Sequence, residues 1–253
     1  KNIKERVHFI IPDTVGFLPL NFSLSSLIFY STSCCKKIMN LIKGKYSYII
    51  PGIPSSTDLR LSLYLECPIL HVENEAASVL FSKSGAKRVF EVCDLATPIS
   101  EWDLKSKDDI YSKLSNLIVS YSSIDIWILK HDYEFGGRGI AFLQISKSKH
   151  LLEARKDFMN NVINEEKYKL QVENILRMTL HMKIEVIYKT LHKSGDDYIN
   201  ELIRSGGVIE ACPTFMISNI IGSPTISFFI EPDGKISNII SYDKIVVNNF
   251  IGL

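Results

Sequence analysis

Residues 127–143 limit the possible folds of this chain more than any other stretch. Trp127-Ile128-Leu129 is an apolar, β-prone run that delivers Lys130. Gly136-Gly137-Arg138-Gly139 follows, and Ile140-Ala141-Phe142-Leu143 comes directly after it. The pattern predicts a strand, a glycine loop and an antiparallel return strand, with a cation at the loop's mouth. So little side-chain bulk lets backbone N–H groups close on an anion, and a lysine ammonium is a compact charge for phosphate oxygens. Two readings stay open from these residues alone. The loop is a cradle for a nucleoside triphosphate, or a hairpin turn that needs glycine for positive φ. It is neither a Walker loop nor a dinucleotide fingerprint, because no Gly-Lys-Ser/Thr closes it and no helix signal follows directly.

The flanking sequence predicts alternating elements. Val7-His8-Phe9-Ile10-Ile11 reads as a buried strand and 24–41 as a helix. Tyr46–Ile50 before Pro51-Gly52 reads as a second strand, 55–66 as a helix capped by Ser55 and Asp58, and Pro68-Ile69-Leu70 as a third strand. That order predicts a parallel α/β layer. Helices are expected over 74–82, 85–93 (capped by Ser84) and 108–121, where Ile110, Leu114, Leu117 and Ile118 share a face. Residues 149–204 carry mixed charges in a helical pattern interrupted at Gly195 and read as a surface helical insertion. Gly207-Val208-Ile209-Glu210 is a strand with an acid near its end. Glu231-Pro232-Asp233-Gly234 predicts a tight turn between strands 226–230 and 235–240.

Net charge is +1 over 253 residues, so no global field points to nucleic acid or a membrane surface, and any anion site is local. No apolar run approaches the roughly 20 residues that span a bilayer. Cys34, Cys35, Cys67, Cys93 and Cys212 form no CxxC pair and no zinc spacing, which predicts thiols in a reducing, cytoplasmic setting. The charged start and the apolar end at Phe250-Ile251-Gly252-Leu253 read as the ends of a segment of a longer polypeptide.

Taken in order, Pro51-Gly52, Ser82-Lys83-Ser84-Gly85, Lys130 with Asp132 and Glu134, Gly137-Arg138-Gly139 and Gly207-Val208-Ile209-Glu210-Ala211 resemble the ATP-grasp superfamily. Within it they are similar to the ATP-grasp-like regions of the IQ-motif-containing protein H group, and next to the pre-ATP-grasp carboxylate–amine ligases. The resemblance covers most of the chain outside residues 149–204. It implies an α/β (α+β) fold in three parts: an N-terminal α/β layer over 1–98, a glycine-flap subdomain with a helical insertion over 99–207, and a hinge strand with the start of an antiparallel C-terminal subdomain over 208–253.

The resemblance also implies the site. Lys83 and Lys130 would face the α- and β-phosphates of ATP, Gly136, Gly137 and Gly139 would form the flap, and Arg138 would add charge. Glu210, with the backbone of Ala211 and Cys212, would line the adenine pocket. Mg²⁺ would complete the site, with ligands downstream of this segment, since Glu231 and Asp233 belong to a turn. The implied chemistry joins an unidentified carboxylate to an amine or thiol through an acyl-phosphate; no catalytic side chain is identified. The alternative is a non-catalytic interaction module of a larger IQ-motif protein, with protein partners engaging the helical insertion. A third possibility is an unrelated α/β transferase with a coincidental glycine hairpin. Local alternatives also stand: a solvated lysine at Lys83 or Lys130, an arginine-paired acid at Glu210, and solvated loop acids at Asp132 and Glu134.

Overall fold

The computed structural model describes residues 6–19, 22–52, 54–212, 224–243, 246–247 and 251–252. They belong to two compact units, 1–79 and 80–253. The first is helical. After a 3-10 turn at Asp13–Gly16 come α1 (Leu24–Tyr30), α2 (Thr32–Ile42), α3 (Ser56–Leu65) and α4 (Asn74–Leu80). The single helix expected over 24–41 is two, because Ser31 ends α1 and its side chain accepts the Cys34 amide at the start of α2. The expected cap of α3 is present: the Asp58 carboxylate accepts the Ser55 amide at 2.7 Å and hydroxyl at 2.6 Å. Cys35, Leu61, Leu65 and Cys67 form this unit's core.

Among the described residues, parallel pairing in this unit is one bridge, Ile49 to Ile69. Residues 7–11 pair with no described strand, and Phe9 and Ile11 are 91% and 77% exposed. An apolar run becomes a strand only where a neighbour takes its backbone hydrogen bonds, and none of the described segments does so here.

The second unit contains α5 (Lys83–Val92), β1 (Ser100–Trp102), α6 (Lys107–Ser120), β2 (Ile126–His131), β3 (Ile140–Gln144), α7 (Lys149–Met159), α8 (Glu165–Lys183), β4 (Glu185–Val186), α9 (Gly195–Ser205), β5 (Gly207–Ala211), β6 (Pro224–Ile230) and β7 (Ile236–Asp243), with a short pair β8 (Val246–Val247) and β9 (Ile251–Gly252). Five strands form an antiparallel sheet in the order β1-β5-β2-β3-β4. The two predicted hairpins are both there: β2–β3 around the glycine loop, and β6–β7 around Asp233-Gly234, where Gly234 has φ +83°.

Residues 149–204 depart from expectation. They are core, not a surface insertion. Tyr168, Val172, Leu176 and Leu180 recur every four residues on α8 and are fully buried with Tyr198 and Leu202 of α9. With α6 they cover Trp127, Leu129, Ala141, Leu143 and Ile209 on one face of the sheet. The mixed charges occupy the other helix faces, and a solvated face does not exclude a buried one. Gly195 does not interrupt a helix; it opens α9, which Ser194 caps by accepting the Asp197 amide. Strand alternation then matters: because Trp127 and Leu129 point into this core, Ile128 and Lys130 point to the opposite face.

Candidate functional site

That opposite face carries the site. β2 and β5 pair with Ile128 opposite Glu210 and Lys130 opposite Val208, so Lys130 and Glu210 are diagonal neighbours on one face. Helix α5 packs there. Its predicted cap moves by two residues, from Ser84 to Ser82, whose hydroxyl accepts the Gly85 amide. Lys83 and Ser84 therefore fall inside the first turn, and Lys87, one turn further, points the same way.

Glu210 is buried, and its two oxygens are divided between two cations. Oε1 pairs with Lys87 Nζ at 2.8 Å, and Oε2 accepts from Lys130 Nζ. Lys87 is 7% exposed and Lys130 26%. Burial pushes the Glu210 carboxyl up, but Lys130 and then Lys87 outweigh it and hold it below the usual carboxylate range. Lys83 Nζ donates to the carbonyls of His131 at 2.7 Å, Asp132 at 3.3 Å and Glu134 at 2.7 Å. Burial, and secondarily the charge of Lys130, pull this ammonium down, against the pull of Asp132, Glu134 and Glu210. Asp132 holds the start of α5 by accepting the Ser84 amide at 2.8 Å, and Ser84 Oγ donates to the Gly207 carbonyl at 3.1 Å. Lys83, Lys87 and Lys130, with Arg138 on Glu134, thus meet three carboxylates, Asp132, Glu134 and Glu210, a surplus of one positive charge in a chain of net charge +1.

The glycine loop leaves β2 beside this cluster. Gly136 and Gly137 have φ of +61° and +79°, so the requirement of the turn for glycine is met there. The amides of Gly136, Gly137 and Gly139 donate to no backbone carbonyl among the described residues. Arg138 folds back onto the loop, with Nε 3.1 Å from Glu134 Oε2 and 3.3 Å from the Phe135 carbonyl. The loop's base is tied from the core side. Tyr198 Oη donates to the carbonyls of Leu129 at 2.8 Å and Gly139 at 3.0 Å, and the His131 amide donates to Gly139 at 2.9 Å.

Of the residues expected to act together, Lys130 and Glu210 meet directly, and Lys83 lies against the start of the loop that Lys130 precedes. The amides of Ala211 and Cys212 are engaged by the carbonyls of Ile99 and Ile126, both at about 3 Å, so they complete the sheet. Lys87 was missed in the sequence, although its i,i+4 spacing from Lys83 was a usable signal. His131 is buried against His192, with ring centroids 5.0 Å apart, its Nε2 is 3.2 Å from the Tyr198 carbonyl, and burial first and His192 second lower its pKa to about 4. No three His, Cys, Asp or Glu side chains among the described residues gather to hold a metal.

A family model described as IQCH-like, ATP-grasp matches residues 74–252. IQ motif-containing protein H of Danio rerio is 27% identical over 240 residues, which cover 92% of this chain and 22% of that protein. The chain therefore spans about a fifth of the length of this relative. Among solved structures, D-alanyl-alanine synthetase A from Vibrio cholerae superposes with a TM-score of 0.40 and 11% identity, over 81% of this chain and 46% of that one.

Proposed function

The chain belongs to the IQCH-like ATP-grasp family, and we propose that the face bearing Lys83, Lys87, Lys130 and Glu210 binds ATP through its polyphosphate. The observation that carries this reading is the convergence of Lys87 and Lys130 on one buried carboxylate, beside a loop with free amides. The surplus positive charge suits an anion, and the Gly136, Gly137 and Gly139 amides would close over phosphate oxygens. Arg138 would reach the same oxygens by leaving Glu134. The cradle fits a polyphosphate. It does not fit a metal by itself, so Mg²⁺ would depend on ligands other than the described side chains. Glu210 would border the adenine, with Ala211 and Cys212 forming the wall behind it rather than supplying free amides.

The reaction this arrangement would serve is a carboxylate–amine or carboxylate–thiol ligation through an acyl-phosphate. The residues described here bind and orient the nucleotide, hold the loop and keep the carboxylate ionised. A non-catalytic nucleotide-binding module of a larger IQ-motif protein is the second reading, favoured by the likeness to IQ motif-containing protein H. A reducing compartment such as the cytoplasm would keep Cys34, Cys35, Cys67 and Cys93 as the thiols they are here. Among the described residues no helix is long and apolar enough to cross a membrane.

Thermal-shift and calorimetric titration with ATP, with and without Mg²⁺, tests the proposal on the wild-type chain and on Lys130→Ala. At 100 times its Kd a ligand specific for the native state adds about 2.7 kcal/mol. Stabilisation of wild type that disappears in Lys130→Ala is expected. Its absence from both refutes the nucleotide site. ADP release that appears only when candidate carboxylates and amines or thiols are added with ATP and Mg²⁺, the γ-phosphoryl passing to the carboxylate, separates the ligase from the module.

A further inference from the structure

The buried carboxylate at the centre of the site has more cations than it needs. Glu210 gives Oε1 to Lys87 and Oε2 to Lys130, so either lysine alone leaves it compensated. The two lysines are not equivalent. Lys87 extends from the first turns of α5, is 7% exposed and has Glu210 as its ion-pair partner. Lys130 ends β2 at the mouth of the glycine loop and is 26% exposed, on the side from which an anion would approach. A lysine bound only to a carboxylate cannot also neutralise a phosphate unless the carboxylate keeps another counterion. A buried unpaired carboxylate takes up a proton or expels its new neighbour.

We propose that Lys87 is a positioning residue, the fixed counterion of Glu210, which releases Lys130 to pair with the phosphate of an incoming nucleotide. The inference rests on the nucleotide reading above. The charged groups facing Glu210 are Lys87 from α5 and Lys130 from β2 in direct contact, and Lys83 from α5 further off; across on β1 the facing residue, Ser100, is uncharged. In the free protein both lysines share Glu210. In the bound protein Lys87 keeps Oε1, Lys130 turns to the phosphate, and Glu210 stays ionised throughout. Nucleotide binding then proceeds without proton uptake. With Lys87 absent, Lys130 would leave behind an uncompensated buried carboxylate. Each binding event would then draw one proton onto Glu210.

Two measurements test this. The first needs no nucleotide: the ¹³C carboxyl resonance of Glu210, assigned by its loss in Glu210→Gln, is titrated in wild type and in Lys130→Met, which imitates the departure of Lys130. The expected result is a Glu210 still ionised at pH 7 in Lys130→Met. A Glu210 that is protonated at pH 7 in that variant overturns the proposal, because Lys87 would then be unable to hold it alone. The second is calorimetry of ATP binding in buffers of different ionisation enthalpy. Wild type should take up no proton. Lys87→Met should take up close to one proton at pH 7, with affinity falling up to tenfold per pH unit across the window in which Glu210 titrates, and Lys87→Met/Glu210→Gln should lose both effects. Weak binding in Lys87→Met without proton uptake, unrelieved by Glu210→Gln, would make Lys87 a direct phosphate ligand and overturn the proposal. If wild type binds no ATP, the nucleotide reading fails separately, and the carboxyl titration of Lys130→Met alone decides the role of Lys87. The same titration decides it if Lys87→Met does not fold.

Discussion

Replacing Glu210 by Gln removes the negative charge shared by Lys87 and Lys130 while keeping the side chain's volume. Breaking a buried pair from one side costs about 3–5 kcal/mol, because the other ion stays buried without its partner. Lys87, at 7% exposure, is in that position. Lys130 at 26% exposure can turn to water, and partly exposed pairs contribute at most about 1 kcal/mol. A Gln oxygen still accepts one hydrogen bond, so the loss should lie near the low end, about 3 kcal/mol. For a unit of this size that is a fall in Tm of about 6–12 °C. The pH dependence carries its own sign. The folded pKa of Glu210 is depressed, so its stabilisation is present above the unfolded value near 4.3 and is lost as pH falls through the lower folded value. The gap between wild type and variant should be constant from pH 6 to 8 and narrow progressively below about pH 4. Guanidinium unfolding followed by tryptophan fluorescence reports on this unit, because Trp102 and Trp127 both belong to it and Trp127 is fully buried. A gap under about 1 kcal/mol at pH 7, or one that persists undiminished at pH 3, would refute this account.

Tyr198→Phe strips the hydroxyl that joins the carbonyls of Leu129 and Gly139 and should cost about 1–3 kcal/mol in chemical denaturation, with faster amide exchange at the loop's base. Gly207→Ala would drive a Cβ into the Lys130 carbonyl oxygen and Leu202 Cδ1, separating β5 from β2; a loss of at least about 3 kcal/mol, or no soluble protein, is expected, and a wild-type melting curve would contradict it. His131, with its pKa lowered to about 4, is neutral in the fold yet protonates near 6.5 when unfolded. Its stabilisation is therefore complete above pH 6.5 and should fall by about 3 kcal/mol by pH 4, a slope that His131→Asn removes from the stability–pH profile.

Local chemistry was enough to predict both hairpins. Glycines at 136 and 137 and Asp233-Gly234 permit only a few turns, and alternation in the flanking strands carries the pairing with it. The cap of α3 was likewise legible, because Ser55 and Asp58 lie three residues apart. The order of motifs pointed to the family before any geometry was available, and the family model over 74–252 agrees. Residues 7–11 mark the limit of such reasoning: their apolar pattern is that of a strand, but a strand exists only with a partner. The helices of 149–205 mark another. Their charges were conspicuous in the sequence, while the buried stripe of Tyr168, Val172, Leu176 and Leu180 acquires meaning only against the sheet it covers.

For the site, the lysine before a glycine loop marked Lys130 locally, while Glu210 became a candidate through the resemblance to ATP-grasp proteins. It did not say that they meet. Eighty positions separate them, and their contact depends on the antiparallel register of β2 with β5, which places both on the face away from the core. Shifting one strand by one residue would send one side chain to the other face. For Lys87 the spacing from Lys83 hinted at a shared helix face but not at a partner. A buried lysine resembles a surface lysine in sequence, and only the packing of α5 over β5 makes it a counterion of Glu210. Local turn and helix chemistry is encoded within a few residues, whereas charge pairing is set by distances that exist only after the sheet has formed.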